Sequence, residues 1–126
     1  MHAPSPRPTI LLVDDEPMIR ELGRIVLEQA GLAVVTADDG DTAVTAYAAH
    51  RPALVVLDVT MPRVSGREAF LRIRALDSNA RILLSTGYTS EDVSSLRGPV
   101  GMLPKPYRPV DLLAAVRAAL PDGASA

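Results

Sequence analysis

Apolar residues along this chain follow two alternating rhythms. Five short runs are rich in Val, Ile and Leu: Thr9 to Val13, Leu32 to Ala37, Ala53 to Leu57, Arg81 to Ser85 and Val100 to Leu103. Continuous apolar runs of this length read as parallel strands buried on both faces. Between them the spacing changes to that of helices. Pro17 suits a first helical turn, and Met18, Leu22, Ile25 and Val26 form an apolar stripe that Gly31 ends. Asp41 can cap a second helix with Val44, Tyr47 and Ala48 inward. Ser65-Gly66-Arg67-Glu68 is a capping box before Ala69, Phe70, Ile73 and Leu76. Thr89-Ser90-Glu91-Asp92 can cap a fourth helix, but Ser94, Ser95, Gly98 and Pro99 are poor helix material, so it is expected to be short or frayed. Pro109 starts a last helix with Leu112, Leu113, Val116 and Leu120 inward.

Five strand-helix units predict an α/β fold: a five-stranded parallel sheet with helices on both faces, a three-layer sandwich. The strand order expected is 2-1-3-4-5, with the site beyond the carboxyl ends of strands one and three, where the order reverses. Pro104 cannot donate a ladder hydrogen bond, which puts strand five at an edge. Residues 1–8 and 121–126 read as flexible tails, and residues 9–120 as one domain.

Composition narrows the field. A hydrophobic share of 48% fits a folded domain, and a net charge of -2 without a basic block argues against nucleic acid or anionic membrane as the main partner. No apolar run approaches membrane length, and Met1 to Pro8 has no signal-peptide core. Without Cys there is no disulfide or thiol chemistry. Lys105, between Pro104 and Pro106, is the sole lysine in the chain.

Two of the runs end in acid. Ile10 to Val13 leads into Asp14-Asp15-Glu16, and Leu54 to Leu57 leads into Asp58. If these strand ends are neighbours, their carboxylates need a counter-charge, because unit charges about 4 Å apart repel by roughly 4 kcal/mol at an effective dielectric near 20. A raised pKa on one of them is one solution; a hard divalent cation such as Mg²⁺ is another, and it leaves room for phosphate oxygens. Strand four ends in the hydroxyls of Ser85 and Thr86, followed by Gly87, and strand five leads to Lys105, a compact charge suited to phosphate. Asp58 is then a candidate nucleophile forming an acyl phosphate.

Asp14-Asp15, the run Asp58-Val59-Thr60-Met61-Pro62 with Gly66, Thr86-Gly87 and Lys105-Pro106 together resemble the receiver domain of two-component response regulators, over about Thr9 to Leu120. The resemblance implies a flavodoxin-like (βα)5 fold and a phosphoryl group accepted by Asp58 from a sensor histidine kinase or a histidine phosphotransfer protein. It implies Mg²⁺, or Mn²⁺ in its place, bound by Asp15, Asp58 and the backbone carbonyl of Thr60, with Asp14 acting through water. It also implies that Thr86 and Lys105 hold the phosphate, that Thr60 and Tyr88 at the pocket mouth tune dephosphorylation, and that a cis peptide can precede Pro106. Many members carry an aromatic switch residue where this chain has Met102, so aromatic signalling does not carry over. The surface of helix four, strand five and helix five, which often makes dimers and output contacts in the family, is expected to be unusual here, with at most weak self-association.

Such a domain is expected in the cytoplasm. Only six residues follow Leu120, so no effector domain is expected, and the output should be a protein contact or onward phosphotransfer. Two other classes stay in view. A haloacid-dehalogenase-type phosphatase usually has a second Asp two residues after its nucleophile, where Thr60 stands, and a phosphorylation-independent pseudo-receiver usually lacks the pocket residues present here. Moving a switch from 1:99 to 99:1 takes about 5.5 kcal/mol, more than Thr86 alone can supply but near the combined worth of Thr86 and Lys105. Taken singly, Asp14 and Asp15 could be helix caps and Asp58 a turn former. His2 and His50 read as a tail residue and a solvated helix end, and Tyr47 and Phe70 as core.

Overall fold

The computed structural model describes residues 7–59, 66–86 and 98–121. Its elements are β1 (Thr9–Val13), α1 (Pro17–Gln29), β2 (Ala33–Ala37), α2 (Gly40–His50), β3 (Leu54–Asp58), α3 (Gly66–Leu76), β4 (Ile82–Thr86), β5 (Gly101–Pro104) and α4 (Pro109–Ala119). The fourth helix expected from Thr89, like Ser65 of the capping box, lies outside the described residues, so the helix that begins at Pro109 is α4. The strands form one parallel sheet in the order β2-β1-β3-β4-β5, with β5 and Pro104 at an edge as expected.

Strand alternation splits the core in two. Leu11, Val13, Val55, Leu57, Ile82 and Leu84 face α2 and α3, where Ala43, Tyr47, Phe70 and Ile73 meet them. Ile10, Leu12, Leu54, Val56, Leu83 and Leu103 face Leu27 of α1 and Leu112 and Val116 of α4. Both faces of β3 are therefore covered, which is why its run is apolar throughout.

The helices correct several expectations. The period of α1 was legible, but its phase was not: Met18 is 85% exposed, Leu22 and Ile25 are also exposed, and the buried positions are Gly23 and Leu27. The cause is close approach. A Cβ on Gly23 would stand 2.7 Å from Leu12 Cδ2 and 3.3 Å from Leu112 Cδ2, so α1 seats its smallest residue against β1 and α4. In α2 the cap is Asp39, not Asp41: its Oδ1 accepts from Thr42 N at 2.8 Å, while the Thr42 hydroxyl accepts from Asp39 N at 3.2 Å. Ala48 and Leu76, expected inward, are exposed, and Ala43 takes the inner position on α2. Tyr47 and Phe70 are core, and His50 is exposed at the end of α2. Strands β3, β4 and β5 each run one residue further than the apolar runs predict, because the ladder continues through polar residues: Asp58 pairs with Ser85, and Thr86 with Pro104.

Candidate functional site

That extra residue brings the polar strand ends under the control of the sheet. Asp58 is the last residue of β3 and 1% exposed, and the backbone N–H of the next residue, Val59, donates to the Ser85 carbonyl at 3.1 Å. Asp14 directly follows β1, is 1% exposed, and donates its backbone N–H to Ala37 of β2 at 3.2 Å. Its Oδ1 accepts from Glu16 N at 2.9 Å, and its carbonyl accepts from the Arg20 guanidinium at 2.8 Å. Lys105 follows β5, and its N–H donates to the Thr86 carbonyl at 2.6 Å.

These positions bring one ammonium among several acids. Lys105 Nζ lies 2.9 Å from Asp14 Oδ2, 3.0 Å from Asp58 Oδ2 and 3.8 Å from Glu16 Oε1. Asp14 and Asp58 are held without full exposure to water because Lys105 bridges them. Burial works against the Lys105 charge, but the hydrogen bonds and fields of Asp14 and Asp58 outweigh it and raise its pKa. The Asp14 carboxyl is pushed up by burial, with Asp58 adding to the rise and Lys105 opposing it. The half-buried Asp15 carboxyl is raised by burial and then by Asp58. One cation does not neutralise Asp14, Asp15, Glu16 and Asp58.

The site therefore fits a divalent cation by its own charge balance. Carboxylate oxygens of Asp14, Asp15 and Glu16 lie within 4.8 Å of one another, an oxygen-rich set of the kind Mg²⁺ takes. Glu16 joins Asp14 and Asp15 in that set. Asp58, like Asp14, accepts from Lys105 Nζ, and its charge acts on Asp15.

The sheet thus brings Asp14, Asp15, Asp58 and Lys105 together, with Thr86 at the neighbouring strand end. Thr60 and Tyr88 lie outside the described residues, as does Gly87. The Lys105–Pro106 peptide is cis. Met102 is 46% exposed on the edge strand, so it does not fill an interior place where an aromatic ring would pack.

Two residues near the site, Arg20 and Tyr107, had no role in the sequence, and a third, Ser85, had only that of a hydroxyl beside Thr86. Arg20 holds the Asp14 carbonyl, and its position one turn after Glu16 in the first helix was the available signal. Tyr107, two residues after Lys105, packs partly against the α1–α4 side of the core, and burial, with Asp14 adding to it, pushes its phenol up to about 12. Ser85 is the register partner of Asp58 and is itself 1% exposed. Gly66, part of the expected motif, gains a physical reason: a Cβ there would overlap the Asp58 carbonyl oxygen and Val59 Cα. Only glycine lets α3 begin directly against the end of β3.

The chain is similar to known proteins over most of its length. The family model described as the response regulator receiver domain matches residues 10–117. The response regulator MprA of Mycolicibacterium vanbaalenii is 41% identical over 114 residues, covering 88% of this chain and 49% of the relative. The C4-dicarboxylate transport transcriptional regulatory protein DctD of Pseudomonas aeruginosa is 36% identical, over 88% of this chain and 25% of its own length. The chain thus spans at most about half of these relatives. Among solved structures, the Vibrio cholerae chemotaxis protein CheY4 superposes with a TM-score of 0.83 at 30% identity, covering 91% of this chain and 100% of that one. The sheet order, the acid-ended strands flanking its reversal and the match across residues 10–117 place the chain in the family of response regulator receiver domains, signalling domains of two-component systems.

Proposed function

We propose that this receiver is switched by phosphorylation of Asp58, with the phosphoryl group coming from a phosphohistidine on a sensor kinase or phosphotransfer protein. The observation that carries this reading is the Lys105 bridge: one ammonium within 3.0 Å of Asp58 Oδ2 and 2.9 Å of Asp14 Oδ2, in a pocket of excess negative charge. A carboxylate oxygen of Asp58 bonds to phosphorus as the bond from phosphorus to the imidazole nitrogen breaks, and that electron pair returns to the ring. Lys105 follows the negative charge from the carboxylate to the phosphoryl oxygens, with the Thr86 hydroxyl as a further donor.

Asp14, Asp15 and Asp58, with the Thr60 carbonyl that the resemblance implies, are the groups that would hold Mg²⁺. When bound, the ion offsets charge on the transferring oxygens. Asp58 is buried, so the donor must approach it from the carboxyl ends of the strands. Exchange with a kinase phosphohistidine places the domain in the cytoplasm, and the output is a contact with a downstream protein. Among the described residues, no helix is long and apolar enough to cross a membrane.

The test is incubation with acetyl phosphate and Mg²⁺, followed by intact mass. One phosphoryl adduct is expected, absent in Asp58→Asn and after chelation of the metal. Because a short-lived adduct can escape detection, beryllofluoride, a phosphoryl mimic that does not hydrolyse, is added in parallel and followed by ¹⁹F resonance. An adduct that survives in Asp58→Asn, or neither adduct nor bound beryllofluoride in the native chain, refutes the reading.

A further inference from the structure

Ser85 is a buried polar group: it is 1% exposed, and among the described residues its Oγ has no hydrogen-bond partner. A buried hydroxyl left unsatisfied is destabilising, so its retention calls for a state in which it is satisfied. The register identifies where such a state would arise. Ser85 pairs with Asp58 on one side and with Leu103 on the other, so all three side chains leave the sheet on one face. That face is the α1–α4 side, to which Leu103 belongs. Paired residues on adjacent strands lie about 5 Å apart, within reach of a side-chain contact.

We propose that the Ser85 hydroxyl donates to the Asp58 carboxyl group in the transition state of phosphoryl transfer, a positioning and charge-stabilising role that rests on the phosphorylation reading above. In the structure described here, Lys105 already holds Asp58 Oδ2, and Ser85 is idle. Once Asp58 carries a phosphoryl group, the ammonium is drawn to the phosphoryl oxygens. Dephosphorylation then proceeds by attack of a water oxygen on phosphorus. The bond from phosphorus to the Asp58 oxygen breaks, and its electron pair returns to the carboxylate. One water proton stays on the inorganic phosphate, and the other passes to solvent. Charge thus reappears on Asp58 while Lys105 is still engaged elsewhere, and the neighbouring hydroxyl is the donor at hand. Loading passes through a similar transition state in the opposite sense. A hydrogen bond made in the transition state and in neither ground state speeds both directions.

The experiment uses the full chain with acetyl phosphate and Mg²⁺ as the phosphorylating system. Loading is followed by intact mass, and loss is followed after the donor is removed. In Ser85→Ala both rates are expected to fall by about three- to ten-fold, the worth of one neutral hydrogen bond, with the final extent of loading little changed. Ser85→Thr, which keeps the hydroxyl, is expected to recover both rates. The melting temperature of Ser85→Ala should not fall, since the variant removes an unsatisfied group. A purely structural role predicts the reverse: a lowered melting temperature and unaltered rates. Native loading and loss in Ser85→Ala overturn this inference alone. A native chain that never takes the phosphoryl group overturns the parent reading with it.

Discussion

Replacing Lys105 with methionine keeps most of the apolar stem and removes the charge. Two carboxylates that are almost wholly buried, Asp14 and Asp58, then lose the ammonium that lies 2.9 and 3.0 Å from them. Removing one partner of a buried ion pair costs about 3–5 kcal/mol. Lys105 retains some contact with solvent, so that range is reduced, to about 2–4 kcal/mol at neutral pH. For a domain of this size that corresponds to a fall of roughly 6–15 °C in melting temperature. The pH dependence gives the sharper signature. Burial already holds the Asp14 carboxyl above its unfolded value, and without Lys105 the main opposition to that rise is lost. The folded state then binds more protons than the unfolded one, so stability is retained at low pH and lost as pH rises through the folded pKa. The deficit of Lys105→Met relative to the native chain should therefore shrink as pH falls from 7.5 toward 5. Chemical denaturation across that range, in chelator, measures it. A deficit below about 1 kcal/mol at pH 7, or one that does not change with pH, would refute the claim that Lys105 is the counter-charge of the buried acids.

Two further substitutions test the frame around the site. Gly66→Ala should cost at least about 2 kcal/mol in denaturant unfolding and slow loading by acetyl phosphate, because the new Cβ meets the backbone that carries Asp58; native stability would show that α3 can shift away freely. On α1, Leu27→Ala should cost about 2–5 kcal/mol, whereas Leu22→Ala should cost less than about 1, since Leu27 is buried and Leu22 exposed; equal losses would put the helix in the phase that its apolar stripe suggests.

The sheet was readable because its signal is redundant. The inner strands β1, β3 and β4 are buried on two faces, so nearly every residue in a run such as Leu54 to Leu57 must be apolar, and an error of one residue leaves the run visible. Helix phase has no such redundancy. In α1 the seat on β1 and α4 is taken by Gly23, which leaves no hydrophobic mark, while Met18, Leu22 and Ile25 imitate a core face in solvent. The cap of α2 was misplaced because Asp38, Asp39 and Asp41 are all good caps, and only the chain's path out of β2 makes Asp39 the one that reaches Thr42 N. At the site, the carboxylates and the lysine stood out because charge at the end of an apolar run is conspicuous. Ser85 was legible only as a hydroxyl at a strand end; its place beside Asp58, and its Oγ without a partner among the described residues, come from the register and the packing. Arg20 was only faintly marked, by its place one turn after Glu16, because its contact is to the backbone carbonyl of Asp14 rather than to a side chain.

The ladder explains how a local change of charge can act beyond the pocket. Asp58 is tied by register to Ser85, and Thr86 to Pro104, so the polar ends of β3, β4 and β5 are consecutive rungs of one sheet. Lys105 belongs to the same system, since its N–H bonds the Thr86 carbonyl while its ammonium bonds Asp58. A charge added at Asp58 therefore pulls on a side chain whose own backbone is hydrogen-bonded to the last rung of β4. The strand on the receiving side is β5, an edge strand with one neighbour and a proline as its last residue. It has fewer ladder bonds to break than β1, β3 or β4, so the same force displaces it further. Within the described sheet, the proposed phosphorylation is thus expected to move β5 and Lys105 first, with β1 and β3 as the fixed frame. Hydrogen exchange with and without beryllofluoride checks this: protection should change most at Met102 to Lys105 and least at Leu11 to Val13 and Val55 to Leu57. An equal change across all five strands would mean that the sheet responds as one rigid body and that the edge position of β5 has no part in the response.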